Sequence, residues 1–313
     1  MLRIRQFLRG RDEGLWLEIL NRAFGEYEDF RPWTMNDFRG WKSSPYFNAE
    51  GMFIAEVNGK PVGIVEAYID RKEQEKKGFI RWLSVIPEFR GLGVGKALLE
   101  RAIERLRDAG MEYAEAVVRK GKMECESLFE SYGFKVVRTF SGMERDLYDI
   151  PSNIGENLNV KIREVAKTNE DIRIYNKLHN EAFKEHYNFR PETIEETEFW
   201  IKQNPWFDIA GHFLAYLDNN PVGFVGVGVD KTFNERHQKK RGWILTIGVI
   251  QPYRRKGIGT ALMLHAMRYL KSLGMEEAAL TVDDSNPTKA IQLYKKVGFV
   301  TKRTELVYQK KLK

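Results

Sequence analysis

The stretch QPYRRKGIGTALM, Gln251 to Met263, places two arginines, a lysine and two glycines directly before an apolar helix. A second stretch, PEFRGLGVGKALL, Pro87 to Leu99, has the same form 164 positions earlier, with Gly93 and Gly95 matching Gly257 and Gly259. Glycine lets a ligand approach the backbone closely and tolerates positive φ. A helix N-terminus leaves its first N–H groups without intrahelical acceptors and carries roughly half a positive charge. A glycine loop between a strand and a helix therefore reads as a cradle for an anion, a phosphate above all. The spacing is not that of a P-loop, GxxxxGK followed by Ser or Thr. The dinucleotide fingerprint also fits poorly, because Leu262 stands where the second copy would need a third glycine or alanine.

The repetition extends beyond the loops. NRAF at Asn21 recurs as NEAF at Asn180, FRP at Phe30 recurs at Phe189, and GKPVGIV at Gly59 recurs as NNPVGFV at Asn219. DAGMEYA at Asp108 recurs as SLGMEEA at Ser272, and YGF at Tyr132 as VGF at Val297, so the offset drifts only from 159 to 165. Two divergent copies of one fold, end to end, account for nearly the whole chain. The expected division is an N-terminal domain over residues 1–147, a linker YDIPSNIGENLN over 148–159, and a C-terminal domain over 160–313. A length of 313 residues suits two domains, each able to bury its own core.

Each copy parses alike. An opening strand (LRIRQF; VKIREV) leads to helices bearing NRAF or NEAF. Two strands joined by a tight turn at Asn58-Gly59 or Asn219-Asn220 follow, then a fourth strand (FIRWLSV; GWILTIGV). After the glycine loop, Leu98, Ala102, Leu106 and Ala109 form one helical stripe, as do Leu262, Ala266, Tyr269 and Leu273, with Gly110 and Gly274 as stops. A fifth strand, a helix and two closing strands finish the unit. The class is α+β with a mixed sheet in each of two tandem domains.

Composition narrows the function. Hydrophobic residues make up 42% and charged residues 30%, and no apolar run approaches the ~18 residues of a membrane span. The N-terminus lacks the pattern of a secretion signal, so a cytoplasmic protein without membrane contact is expected. The single cysteine, Cys125, excludes an internal disulfide, and five histidines without HExxH spacing give no metal site. Residues 1–150 carry 25 basic and 25 acidic side chains, so the whole net charge of +7 lies in residues 151–313. That half should favour an anionic ligand. Its lysines form short runs rather than a stripe interleaved with aromatics, which speaks against nucleic acid.

The motifs PEFRGLGVG and QPYRRKGIG, with DDSNPTKAIQLYKKVGF following the second, resemble the GCN5-related N-acetyltransferase (GNAT) family. The duplication is similar in organisation to tandem members such as the mycothiol-synthase group. The resemblance implies acetyl-CoA as cosubstrate, with its pyrophosphate on the backbone of Arg254, Arg255, Lys256, Gly257, Ile258, Gly259 and Thr260, or of Arg90, Gly91, Gly93, Gly95 and Lys96 in the first copy. It implies that Ile247 and Val249, or Leu83 and Val85, pair with the pantetheine arm, and that the Val249 N–H faces the thioester oxygen. Asn286 matches a coenzyme A contact. Tyr294 matches the acid that protonates the departing thiolate, a role a phenol of pKa ~10 can fill. The same tyrosine lies on a stripe with Ala290, Leu293 and Val297 that would equally serve as core.

Aligned on the repeat, Tyr294 corresponds to Phe129 and Asn286 to Gly121. The C-terminal copy is therefore the expected catalytic one and the N-terminal copy a degenerate partner, with Tyr132 the one candidate to replace the phenol. The fourth strand GWILTIGV offers no proton acceptor. Candidate bases are Glu181, His186, Asp230, His237 and Asp283, and Phe233 to Trp243 is expected to loop over the acceptor site. The expected acceptor is a primary amine on a small molecule, an amino acid or a protein N-terminus. The rival is a non-catalytic acyl-CoA-binding or regulatory protein. The duplication favours a monomer.

Overall fold

A computed structural model describes residues 1–73, 75–152 and 159–312. The N-terminal repeat runs β1 (Leu2–Gln6), α1 (Glu13–Phe24), α2 (Met35–Lys42), β2 (Met52–Val57), β3 (Lys60–Tyr68), β4 (Lys77–Val85), α3 (Val94–Asp108), β5 (Tyr113–Arg119), α4 (Met123–Ser131) and β6 (Lys135–Asp146). The second runs β7 (Val160–Glu164), α5 (Asn169–Phe183), α6 (Ile194–Lys202), β8 (Ile209–Leu217), β9 (Asn220–Val229), α7 (Lys231–His237), β10 (Arg241–Val249), α8 (Ile258–Ser272), β11 (Glu277–Asp283), α9 (Ala290–Lys296) and β12 (Val300–Lys311).

Two compact units form, and they do not follow the boundaries 1–147 and 160–313. The N-terminal unit holds Met1–Thr139 together with the segment that begins at Glu305, and the C-terminal unit holds Phe140–Thr304. In the N-terminal unit β1 to β4 are antiparallel neighbours, β4 and β5 are parallel, and β12 closes the sheet antiparallel to β5, Glu305 opposite Arg119 and Lys311 opposite Tyr113. The C-terminal unit repeats this with β7 to β11 and is closed by β6, Phe140 opposite Asp283 and Asp146 opposite Glu277. Each closing strand is thus supplied by the other repeat. Sequence repetition records descent, whereas a strand's partner is decided by hydrogen bonding, so the two divisions differ at this strand.

The start of the expected linker packs on the C-terminal unit: Lys271 donates to the Tyr148 carbonyl (2.9 Å) and Arg268 to that of Ser152 (2.7 Å). Residues 153–158 lie outside the described residues. The hairpin turn of the second copy sits at Asp218-Asn219, both at positive φ (49° and 64°), one residue earlier than the sequence reading placed it. It matches Asn58-Gly59, because Asp tolerates the left-handed region well enough to open a tight turn.

One feature of the sheet positions the site. β10 and β11 pair only over Arg241–Trp243 and Glu277–Ala279, at one end. There Arg241, 2% exposed, donates to Glu277 and Glu144, each at 2.7 Å. A register shift against β9 between Ile244 and Thr246 turns β10 aside, and the parallel ladder ends. The remainder of β10, up to Val249, diverges from β11. The N-terminal unit opens in the same way, its parallel ladder stopping at Ile80 and Ala116, with Trp82 at φ 55° in the irregular part of β4.

Candidate active site

The opening beside β10 is lined by backbone. The Ile250 N–H donates to the Val222 carbonyl at 3.1 Å, toward β9. Because successive N–H groups of a strand point to opposite edges, those of Val249 and Ile247 point away from β9 and into the opening. Ile86, donating to Val62 at 2.9 Å, places Val85 and Leu83 likewise.

Arg254 marks the mouth of the opening. Its guanidinium donates to the carbonyls of Val249 (3.1 Å) and Ala182 (3.0 Å) and to Glu185 (2.7 Å). It thereby satisfies a carbonyl in the last turn of α5, one that the helix itself leaves unpaired. Arg90 does the same for Val85, Ala23 and Glu26. With these side chains committed, an anion at either loop would meet main-chain N–H groups. α8 begins after Gly257, left-handed at φ 86°, and no side chain caps it. α3 begins after Gly93 at φ 79°, equally uncapped. By contrast, Thr34, Thr168, Thr193 and Asp230 cap α2, α5, α6 and α7. The first-turn N–H groups of Ile258, Gly259 and Thr260 are therefore available. Arg255 (φ 64°) matches Gly91 (φ 74°), and Lys256 lies 5.2 Å over the Tyr253 ring. A Cβ on Gly259 would stand 3.3 Å from Leu293 and 4.0 Å from Val249, so glycine here lets α8 start close against α9 and β10, while the matching Gly95 faces Leu128 at 3.7 Å. Lys96 lies in the first turn of α3. A strand edge with unpaired N–H groups that leads to an uncapped helix N-terminus suits an extended amide chain ending in a pyrophosphate.

Tyr294 lies on α9, 7% exposed, with its ring edge-on to Phe299 at 6.3 Å. Burial pushes its phenol up, so it remains protonated at neutral pH, and its hydroxyl makes no hydrogen bond among the described residues. The end of α9 is fixed by Arg145 of β6, which donates to the Val297 carbonyl and to Asp149 (2.8 Å). Phe129 at the matching place stacks on Tyr308 at 5.9 Å. The Tyr132 hydroxyl is engaged elsewhere: it donates to Glu100 at 2.5 Å, and burial and then that carboxylate push it up to about 12. Asn286 accepts from the Thr288 N–H and hydroxyl (2.8 and 2.7 Å), shaping the approach to α9.

The candidate bases scatter. Glu181 is paired with Lys184 at 2.6 Å. Asp230 caps α7 by accepting from the Phe233 N–H, and His237 packs on Phe233 at 4.5 Å. Where a loop was expected, α7 forms, because Phe233 buries itself against Trp243 at 4.8 Å. His186 and Asp283 share one neighbourhood with Arg254. Burial and then that guanidinium hold the His186 imidazole below its ordinary value, opposed by Asp283.

Two residues that the sequence reading passed over face one another beside α5. His179 of α5 stacks on Phe183 (4.7 Å) and lies 5.7 Å from Phe224, the residue opposite Gly248 of β10. Its Nδ1 is buried without a hydrogen bond, 3.7 Å from Glu192 Oε2. The repeat held a signal for both. Glu192 follows the second FRP where Trp33 follows the first, and His179 replaces Leu20 just before NEAF.

The family model of the Acetyltransferase (GNAT) family matches residues 15–134 and 175–299. The chain belongs to this family. It carries two GNAT domains in tandem. Among curated relatives, a mycothiol acetyltransferase of Streptosporangium roseum is 27% identical over 73% of this chain and 76% of that protein. One of Thermomonospora curvata is 32% identical over 42% of this chain, and the match spans less than half, 43%, of that relative. A solved tandem GNAT protein from the clavulanic acid biosynthesis pathway superposes with a TM-score of 0.76 at 15% identity, covering 100% of this chain and 99% of its own, which bears on the fold alone. Among the described residues no helix is long and apolar enough to cross a membrane.

Proposed function

We propose that the C-terminal unit transfers an acetyl group from acetyl-CoA to the primary amine of a small molecule by direct attack in a ternary complex. The observation that carries this reading is the conjunction, around one end of β10, of the N–H groups of Ile247 and Val249 aimed into the opening, the uncapped start of α8, and α9 with its protonated Tyr294. Main-chain N–H groups from Arg254 to Thr260 would hold the pyrophosphate. Ile247 and Val249 would pair with the pantetheine amides as a neighbouring strand would, with Asn286 as a further contact. The Val249 N–H would stabilise negative charge on the thioester oxygen during attack, a placement worth most where water is excluded. Tyr294 would give its proton to the departing sulfur. A small-molecule acceptor is supported by curated relatives named for mycothiol. The N-terminal unit has the matching cradle, Arg90 to Lys96 with Leu83 and Val85, but Phe129 in place of a proton donor, and we assign it no turnover.

Release of free thiol from acetyl-CoA, followed with glucosamine, cysteine, lysine and short peptides, tests the reading. Turnover with a small amine that collapses in Tyr294→Phe supports it. Tight acetyl-CoA binding without turnover across the panel, unchanged by that substitution, would favour an acyl-CoA-binding protein instead.

A further inference from the structure

Amine acetylation needs a proton acceptor, because an amine of ordinary basicity arrives as its ammonium ion. β10 carries no carboxylate or imidazole, its sequence being RGWILTIGV. Glu181, Asp230 and His237 are engaged in surface pairing, capping and packing. His186 lies beyond Phe183 beside Arg254, whose charge opposes a second cation.

We propose that His179 is the proton acceptor of the C-terminal unit, acting through Nε2, and that Glu192 is its positioning residue, facing Nδ1. The inference rests on the acetyltransferase reading of the same unit. Its first support is placement. α5 crosses β10 so closely that a Cβ on Gly248 would stand 2.9 Å from Ala182 and 2.6 Å from Phe224. His179 precedes Ala182 by one helical turn, ~5 Å along the axis, and its ring contacts the same Phe224. The imidazole therefore lies against the β9 residue that pairs with Gly248, and the next residue of β10, Val249, directs its N–H into the opening.

The second support is orientation. Nδ1 is buried and faces the Glu192 carboxylate at 3.7 Å, while the side chain as a whole keeps 17% of its surface exposed, which leaves the Nε2 side of the ring as the one a substrate could approach. A carboxylate on one ring nitrogen selects the tautomer that leaves the other free to accept a proton. The separation is a little longer than a hydrogen bond, and such contacts commonly tighten when substrate binds. Glu192 is itself fixed: its carboxylate accepts from Thr197 (3.2 Å), its N–H donates to Asn180 (2.8 Å), and its carbonyl accepts from Asn176 (2.9 Å) and Asn180 (3.0 Å). Burial holds the imidazole below its ordinary value, hence neutral at physiological pH, and the Glu192 charge and then Asn180 oppose that shift. His186, just beyond the C-terminal end of α5, is the other titratable group facing it.

The third support is contrast. Asn21 grips the Trp33 main chain at 2.8 Å in both directions, as Asn180 grips Glu192, yet the side chains in the N-terminal unit are Leu20 and Trp33, neither of which accepts a proton. The loop was kept while the acid–base pair is confined to the unit that has the phenol.

The step balances. The ammonium gives one proton to His179 Nε2, which passes it to solvent. The free amine forms the C–N bond, the C–S bond breaks with its electron pair on sulfur, and sulfur takes the Tyr294 proton. The second nitrogen proton restores the phenol, so the products are amide, free thiol and one released proton.

Nitrogen-15 NMR of the histidines of the full chain tests the pair without requiring turnover. His179 should be the Nδ1–H tautomer with a pKa below ~6.5, and Glu192→Gln should lower that pKa further and mix the tautomers in a protein that remains folded by its amide spectrum. An Nε2–H tautomer in the wild type, or a tautomer indifferent to Glu192→Gln, overturns the proposal. The thiol-release assay with glucosamine is the second arm. His179→Gln should lower kcat/KM for the amine about 100-fold or more with KM for acetyl-CoA unchanged, and an unchanged kcat/KM overturns it. Silence of the wild type across all amines would instead count against the acetyltransferase reading, and the NMR result would still decide the pair.

Discussion

The two units share one backbone plan and differ in what fills it. At the open end of β4 the N-terminal unit packs Trp33 against Trp82 (5.2 Å) and Trp41 (5.7 Å), and Phe24 against Trp82 (6.2 Å). Glu192 and Thr246 stand at the positions of Trp33 and Trp82 in the other unit. At the mouth, Arg119 at the end of β5 forms a two-pronged pair with Asp29 (2.6 and 3.0 Å) and lies over Tyr27, where the C-terminal unit has Asp283 and His186. The N-terminal opening is thus filled with indoles and bridged by an ion pair. The glycine turn before the helix is kept in both units while the side chains beside it diverge, because the turn is required by the fold and those side chains are free to become core.

Six substitutions would break or sharpen this contrast. Tyr294→Phe should have the largest effect, lowering kcat about 100-fold or more with little change in KM, while Phe129→Tyr should create no second active unit. If Phe129→Tyr raises turnover, the asymmetry is wrong. His212 comes next. Buried on β8 where the N-terminal unit has Met52, it titrates at about 4 because burial, and then Lys167, disfavour its cation. The unfolded chain, near ~6.5, takes the proton first, so this contribution to stability is intact above about pH 6.5 and lost as the pH falls toward 4. His212→Met should remove about 2–3 kcal/mol of that acid sensitivity, read from denaturant midpoints at about pH 7 and about pH 4.

Gly257→Val forces a branched side chain to φ 86°, at a cost of about 1–2 kcal/mol, and should raise KM for acetyl-CoA about tenfold, the equivalent of ~1.4 kcal/mol. An equal rise in Gly93→Val would mean that both cradles hold the cosubstrate. The smallest effect is expected from Asp29→Asn. It breaks a pair about a quarter exposed on each side, worth about 0.5–1 kcal/mol, and should leave turnover as it was.

Much of this was legible in the sequence, since glycines at fixed offsets and two alternating hairpins left little freedom in either unit. The places of Ile247, Val249, the α8 cradle and Tyr294 follow from one motif and its distance to the next strand. The strand exchange was not legible, because β6 and β12 are equally good edge partners for either fifth strand and local pattern does not distinguish them. The α7 segment was read as a loop because its seven residues carry one strongly buried side chain, Phe233, too few for a helical period to register. His179 and Glu192 were missed because a histidine among aromatics and a glutamate after proline each look ordinary alone. Only the column-by-column difference between repeats, Leu20 to His179 and Trp33 to Glu192, singles them out.

The crossed closing strands make the gene duplication irreversible. Arg145, encoded in the first repeat, holds the helix that bears Tyr294, and Lys310, encoded in the last, performs the same service for the Tyr132 carbonyl. During synthesis the N-terminal unit must wait, one strand short, until β12 at the end of the second repeat has left the ribosome. A cut between the repeats would yield two incomplete proteins rather than one enzyme and one discarded copy. The first repeat can change residue by residue, but its deletion would take β6 from the sheet of the second unit.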